Sequence, residues 1–166
     1  MDTRLVVSRE DRKCWTLLDR IDQHTLDLVK LFKPHRDRLF AALNDGRLIA
    51  VGDNSYGLLG LGHRRKVKTF EEIATLRGKS IKDIACGWLH VLVLTEEGQV
   101  WAWGWNNWGE VGVNNKEPQW VPQLILDKDK DVVSIKCGYV HSLALTSEGK
   151  LFSWGVNIYG QLGVGN

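Results

Sequence analysis

Residues 86–98 read Cys-Gly-Trp-Leu-His-Val-Leu-Val-Leu-Thr-Glu-Glu-Gly, and residues 137–149 read Cys-Gly-Tyr-Val-His-Ser-Leu-Ala-Leu-Thr-Ser-Glu-Gly, the same pattern displaced by 51 positions. The register continues downstream, where Trp103-Gly104-Trp105-Asn106-Asn107-Trp108-Gly109 lies on Trp154-Gly155-Val156-Asn157-Ile158-Tyr159-Gly160. A more worn copy sits 52 residues upstream, as Asn44-Asp45-Gly46 and then Gly52-Asp53-Asn54-Ser55-Tyr56-Gly57. Within each copy an apolar run such as Val91 to Leu94 reads as a strand, Glu96-Glu97-Gly98 as a tight turn, and Gln99 to Trp103 as the returning strand. The glycines fit that reading, because hairpin corners need positive φ and a residue without Cβ adopts it at least cost. Ser80 to Ile84, Asp131 to Ile135 and, in the worn copy, Leu28 to Phe32 supply a further strand each. A period near 50 residues, built of short strands and glycine-aromatic corners, corresponds to one propeller blade per unit and excludes a helical solenoid.

Composition agrees with a packed domain. The chain has 166 residues, 43% of them hydrophobic and 25% charged, which is enough to build a core and too apolar for a disordered tail. With 22 Lys and Arg against 20 Asp and Glu, the net charge of +2 offers no broad attraction to nucleic acid or an anionic membrane. Three cysteines (Cys14, Cys86 and Cys137) are too few and odd in number for a disulfide framework, so a reducing compartment, cytoplasm or nucleus, is expected. The first ten residues carry Asp2, Arg4, Arg9 and Glu10 around two valines, too charged for a signal-peptide core. No stretch approaches the roughly 20 apolar residues that span a bilayer.

The motif Cys-Gly-x-x-His-x-Leu-x-Leu-Thr-x-x-Gly followed by Trp-Gly-x-Asn-x-x-Gly resembles the regulator of chromosome condensation repeat, and the resemblance covers about Leu28 to the last residue. It implies a propeller of about seven blades, of which this chain would be an N-terminal fragment. The expected fold is therefore all-β: a partial β-propeller of about three four-stranded antiparallel blades. The units fall at about 28–78, 79–130 and 131–166, the last incomplete, within a repeat region 26–166. A short helical or irregular arm over residues 1–25 precedes them, with Trp15, Leu18 and Ile21 near helical spacing and Ser8 as its cap. The front end, from Leu17-Leu18 to Asn54, is further similar to proteins that join these repeats to a BTB domain. The worn unit has Pro34 and His35 in place of Cys-Gly, Arg38 in place of the histidine and Val51 in place of the tryptophan, so an irregular or terminal blade is expected there.

Several constellations invite chemistry. Cys86 with His90 and Cys137 with His141 are the ligand types of a structural zinc site, and equally of a nucleophile and base. Their strict recurrence points instead to one pair per blade, the histidine bonding a neighbouring backbone group and the cysteine packing as a small apolar residue. Gly57 to Lys68 is glycine-rich and then basic but lacks the Gly-Lys-Ser/Thr end of a phosphate loop, and reads as a solvated corner. Trp101, Trp103 and Trp105 alternate onto one strand face, and Trp103 recurs as Trp154, as core packing between blades requires. Trp88, Trp105, Trp108 and Trp120 are less regular and are candidates for a rim, and His63 to Thr69 and Asn114 to Pro122 read as loops.

Every strong signal is architectural, so no catalytic, cofactor-binding or metal-binding residue is assigned, and the partner-binding residues stay unassigned. The expected role is a non-catalytic protein-interaction scaffold binding a protein partner, with nucleic acid, membrane and small-molecule substrate disfavoured. In the complete protein it would serve as a ubiquitin-ligase adaptor or assembly module. The resemblance also implies two alternatives: a guanine nucleotide exchange factor for a small Ras-like GTPase, or a chromatin-binding module. The unit spacings of 52 and 51 leave no room for the wedge-like insertion that exchange would require between these units.

Overall fold

A computed structural model of the chain describes residues 16–17 and 21–165. Three antiparallel sheets follow one another along the chain. The first blade is β1 (Val29–His35), β2 (Arg38–Leu43), β3 (Leu48–Gly52) and β4 (Val67–Glu72). The second is β5 (Ile81–Cys86), β6 (His90–Thr95), β7 (Val100–Gly104) and β8 (Gln119–Leu126). The third contains β9 (Val132–Cys137), β10 (His141–Thr146) and β11 (Leu151–Gly155) among the described residues. Within each sheet, strands pair in sequence order as a meander. The partial propeller expected from the repeat is therefore present.

Blade 2 shows why the sequence folds this way. On β6 and β7, Val91, Val93 and Trp103 turn to blade 1, where they pack with Phe40, Ala42, Leu48 and Ala50. Their neighbours Leu92, Leu94, Val100 and Ala102 turn to blade 3 and meet Val132, Ile135 and Ala144. A strand buried on both faces needs an unbroken apolar run, and Val91-Leu92-Val93-Leu94 is one. The core is thus two layers, one in each gap between blades.

Blade 1 has a second face, away from blade 2, and the N-terminal segment covers it. Leu17 packs with Leu39 and Val51, and Ile21, Leu28 and Val29 pack over Ala41, Leu43 and Ile49. Thr16 and Leu17 are helical, and a short helix α1 (Gln23–Asp27) is capped by Asp22, whose carboxylate accepts from the Thr25 N–H at 2.9 Å. Ser8, Trp15 and Leu18, also assigned to this arm, lie outside the described residues.

Three expectations are corrected. Blade 1, expected to be irregular or terminal, is the first of the three described blades but a complete four-stranded sheet despite its worn motif, because its strands need only the unbroken apolar runs of Leu39 to Leu43 and Leu48 to Val51. The stretches read as loops, His63 to Thr69 and Asn114 to Pro122, run into the outer strands β4 and β8. These outer strands carry exposed polar residues and, in β8, Pro122, which an edge position tolerates because no second neighbour needs its N–H. Trp105 is not on the strand face of Trp101 and Trp103, since Gly104 at φ 116° turns the chain off the sheet before it.

A conserved-geometry corner follows the third strand of every blade. Asn54, Asn106 and Asn157 each accept from a backbone N–H five residues on (Leu59, Val111, Leu162, all at 3.0 Å). Each also donates to a carbonyl eight or nine residues on: His63 at 2.7 Å, Asn115 at 2.7 Å and Gly165 at 2.9 Å. One buried amide thereby closes a loop of 14 residues, 53–66 or 105–118, between strands three and four. Asn106→Ala is expected to cost about 2 kcal/mol, because the Val111 N–H is left buried without an acceptor. Urea unfolding of the variant checks this, and a change below about 0.5 kcal/mol would show the corner to be self-supporting.

Candidate interaction surface and the blade-to-blade lock

The repeat motif turns out to be a device for joining blades. Trp103, fully buried, donates its indole N–H to the Leu58 carbonyl of blade 1 at 2.8 Å, and Trp154 donates to the Glu110 carbonyl of blade 2 at 3.0 Å. Leu58 and Glu110 are themselves 52 residues apart, so the bond is one repeated contact. Gly60 and Gly112 make room for it: a Cβ at Gly112 would stand 2.7 Å from the Trp154 indole nitrogen. Trp103 has the expected core role, and Trp154 packs partly buried against the second inter-blade core.

Cys-Gly-x-x-His is explained by the same gap. The Gly87 N–H donates to the His90 carbonyl at 2.9 Å, and the His90 ring lies over Gly87 so closely that a Cβ there would be 2.1 Å from the ring. Gly138 and His141 repeat both features, at 2.9 Å and 1.9 Å. His90 Nε2 lies 2.9 Å from the Ser142 hydroxyl of blade 3, which donates to the Glu110 carbonyl at 2.8 Å. Since the hydroxyl proton goes to the carbonyl, His90 must carry its own proton on Nε2 and donate to the serine oxygen. His90 thus bonds a side chain of the next blade in addition to the neighbouring backbone group expected, that of His141. Arg38, at the histidine position of blade 1, solves the problem locally, donating to the Asp53 carbonyl at 2.9 Å and to its carboxylate at 3.1 Å.

Cys86 and Cys137 do not assemble with the histidines into a ligand set, and no group of three metal-ligating side chains occurs among the described residues. Burial pushes the Cys86 thiol up to about 12 and Cys137 higher still, which removes the thiolate that nucleophilic chemistry needs.

Burial, and next the nearby charge of His141, lowers the His90 imidazole from 6.5 to about 4. Below pH 6.5 the unfolded chain binds a proton at this position that the folded chain refuses, so stability is full above 6.5 and is lost as pH falls towards 4. The loss amounts to about 3 kcal/mol. Glu110 opposes it: burial raises its carboxyl, so protonating it favours the folded form. His90→Gln keeps a donor for Ser142 and removes the titration. Its melting temperature should fall less than that of the parent between pH 7 and pH 4.5, and superimposable profiles would remove His90 from the account.

At one end of the meander lie the turns between the first two strands of each blade and the loops between the last two. Arg36, Trp88 and Tyr139 occupy equivalent positions in those turns, and Tyr56, Trp108 and Tyr159 in those loops. All six are exposed. Blade 2 is covered on both sides by its neighbours, yet Trp88 and Trp108 remain 38% and 56% exposed, so the exposure belongs to the end of the blade and not to an open flank. The inner row is continuous: the Arg36 guanidinium stands 5.6 Å from the Trp88 ring centre, and Trp88 and Tyr139 rings are 3.9 Å apart. Tyr56 meets Trp105 edge-on at 6.3 Å. At the other end, the turns 44–47, 96–99 and 147–150 present no aromatic side chain. The rim candidates Trp88 and Trp108 are thereby placed. Trp120 lies on β8 instead, packed over Gly57.

The rim is pre-organised. A backbone N–H just after the third strand donates to the carbonyl of the inner turn in every blade: Asp53 to Asp37 at 3.2 Å, Trp105 to Leu89 at 2.6 Å, Val156 to Val140 at 3.0 Å. Neighbouring inner turns are joined by the Trp88 N–H, which donates to the Tyr139 carbonyl at 2.9 Å.

The family model for the regulator of chromosome condensation (RCC1) repeat matches residues 45–94 and 97–145, and a second model of the repeat matches 81–110 and 132–161. The chain belongs to the RCC1 repeat family. Each RCC1 repeat so framed straddles two blades, giving β3 and β4 to one and β5 and β6 to the next, so the covalent chain itself stitches the blades. The ultraviolet-B receptor UVR8 of Arabidopsis thaliana is 34% identical over 139 residues, which are 83% of this chain and 32% of the receptor. The secretion-regulating guanine nucleotide exchange factor of Bos taurus is 40% identical over 116 residues, 69% of this chain and 25% of that protein. The human probable E3 ubiquitin-protein ligase HERC4 is 41% identical over 114 residues, 68% of this chain and 11% of the ligase. The chain spans a third or less of the length of each of these RCC1-repeat relatives. Among solved structures, Prp20p from Saccharomyces cerevisiae matches with a TM-score of 0.73 at 24% identity, over 84% of this chain and 36% of Prp20p. Human WBSCR16 matches at 0.65 and 21%, over 76% and 33%. At these identities the likeness is one of fold.

Proposed function

We propose that the chain is a protein-interaction scaffold without catalytic chemistry of its own, and that the aromatic rim is its contact surface. The observation that carries this reading is the exposure of Trp88 and Trp108 on a blade flanked on both sides. Tryptophan and tyrosine supply large contact area at low entropic cost and dominate protein interfaces, whereas surface display without a partner favours aggregation. The burial that raises the Cys86 and Cys137 thiols and lowers the His90 imidazole speaks against these recurring pairs as a nucleophile and base. In the complete protein, such a scaffold would present partners to an assembly such as a ubiquitin ligase, as the relatives named for that activity make reasonable. The equal loops 53–66 and 105–118 contain no insertion that would act as a wedge on a small GTPase.

Affinity capture followed by mass spectrometry tests the proposal when three baits are compared: the parent chain, Trp88→Ala/Trp108→Ala, and a control altered at the other end, Glu97→Ala/Glu148→Ala. A set of proteins held by the parent and the control but lost from the rim variant is the expected result. Identical recovery on all three baits, or acceleration of nucleotide release from a small GTPase, would overturn the proposal.

A further inference from the structure

Resting on the rim as contact surface, a closer reading of its charges gives the chemistry of the partner: we propose that the rim takes an extended acidic protein segment in which Asp or Glu side chains alternate with apolar ones. The near-zero net charge of the chain conceals how charges lie at this end. Arg36 borders Trp88, and Arg64 lies 4.8 Å from the ring centre of Trp120, with Lys66 exposed beside it and Lys116 in the equivalent loop of blade 2. The carboxylates at the same end are largely engaged. Asp53 is ion-paired with Arg38 at 3.1 Å, and Glu110 is buried and accepts from the Trp108 N–H at 2.8 Å, while Asp37 is exposed and reaches the same guanidinium only at 4.0 Å. Glu117 is left as the exposed acid of the blade 2 loop. A surface of aromatic rings bordered by cations attracts a ligand that is apolar and anionic together.

The shape of the row selects an extended chain. Arg36, Trp88 and Tyr139 form one line of contacts 4 to 6 Å apart. A strand-like segment repeats its side chains on one face about every 7 Å, so side chains two positions apart can place an anionic group over Arg36 and an apolar one over the Trp88–Tyr139 pair. Because the turns beneath are tied by backbone hydrogen bonds, little ordering cost falls on this side of the interface. A single-stranded nucleic acid would also answer to cations and aromatic rings, but it stacks its bases on open ring faces. Here the face of Trp88 is already occupied by Arg36 and by Tyr139, tilted at 48°, while Tyr56 and Trp105 meet at 85°. The peptide is therefore the occupant that the geometry favours.

The test is a selection of a phage-displayed library of random 12-residue peptides on the immobilised full chain, repeated on Trp88→Ala/Tyr139→Ala and on Arg36→Glu. The expected result is enrichment of Asp or Glu interspersed with Leu, Phe or Tyr. Synthetic versions should bind the parent chain about 10-fold or more tightly than either variant, and weaken several-fold when salt is raised to about 0.5 M. Circular dichroism melting of the variants separates loss of binding from loss of fold, and Tyr139→Phe, which keeps the ring, should retain binding. Rim-dependent peptides that are basic or uncharged would overturn the acidic partner while leaving the rim as contact surface intact. So would rim-dependent binding of oligo(dT), or a concentration-dependent dimer abolished by Trp88→Ala. Binders of any chemistry that ignore all rim variants, or no binder at all, would overturn the rim itself.

Discussion

Trp103→Ala should destabilise the chain by about 4 kcal/mol and break the cooperative coupling of blades 1 and 2. The side chain is fully buried in the first inter-blade gap, meets Phe40 edge-on at 6.2 Å, and fills the space left by Gly60. Removing a buried indole from such a site costs the transfer free energy of the ring together with the cavity it leaves, about 3–5 kcal/mol. Trp103→Phe separates the contributions. It retains most of the apolar area but leaves the Leu58 carbonyl buried without its donor, at about 1–2 kcal/mol. Urea unfolding monitored by circular dichroism gives both values. A cost below about 1 kcal/mol for Trp103→Ala would mean that the blades fold independently and that the repeated indole bond is incidental.

Gly104→Ala is expected to be as damaging, for a reason that lies in the backbone. Gly104 has φ 116°, and a Cβ there would stand 2.4 Å from the Leu89 carbonyl oxygen and 2.7 Å from the His90 Cα. The close approach is functional, since the Leu89 oxygen accepts the Trp105 N–H and so ties the outer loop to the inner turn. Gly52 and Gly155 repeat it, 2.2 Å from the Asp37 oxygen and 2.6 Å from that of Val140. Neither carbonyl nor strand can yield without breaking the sheet, so the substitution should cost at least about 3 kcal/mol and lower rim-dependent binding as well. Gly109→Ala is the control: φ is 76°, no atom lies within 4 Å of its notional Cβ, and only the left-handed backbone penalty of about 1 kcal/mol applies. Equal melting temperatures for the two variants would show that the close approach carries no weight.

The fold was legible because its signals are local and repeated. The Gly-terminated turns at Gly46, Gly98 and Gly149 and the two-sided apolar run of β6 follow from backbone sterics and burial, which act within a few residues. The beginnings of the outer strands, Val67 to Thr69 of β4 and Gln119 to Pro122 of β8, read as loop because they mix exposed and buried residues without a clean alternation. Ser142 and Glu110 were invisible for the opposite reason. Ser142 departs from its repeat equivalents, Leu39 and Val91, while the Glu110 group it bonds is a main-chain carbonyl that no side-chain pattern marks, and only the packing of two blades brings the serine to His90. The rim is legible at Trp88 and Trp108, which lack the alternation that would bury them, and the recurrence of an aromatic residue at Tyr56, Trp108 and Tyr159 extends that signal to all three blades.

The most direct test of the rim as contact surface is amide hydrogen exchange on the full chain, with and without a partner captured as described. The account predicts that binding slows exchange in residues 87–89, 105–110 and 138–140 and leaves the turns 96–98 and 147–149 unchanged. Protection confined to those opposite turns, or to the outer strands β4 and β8, would contradict it.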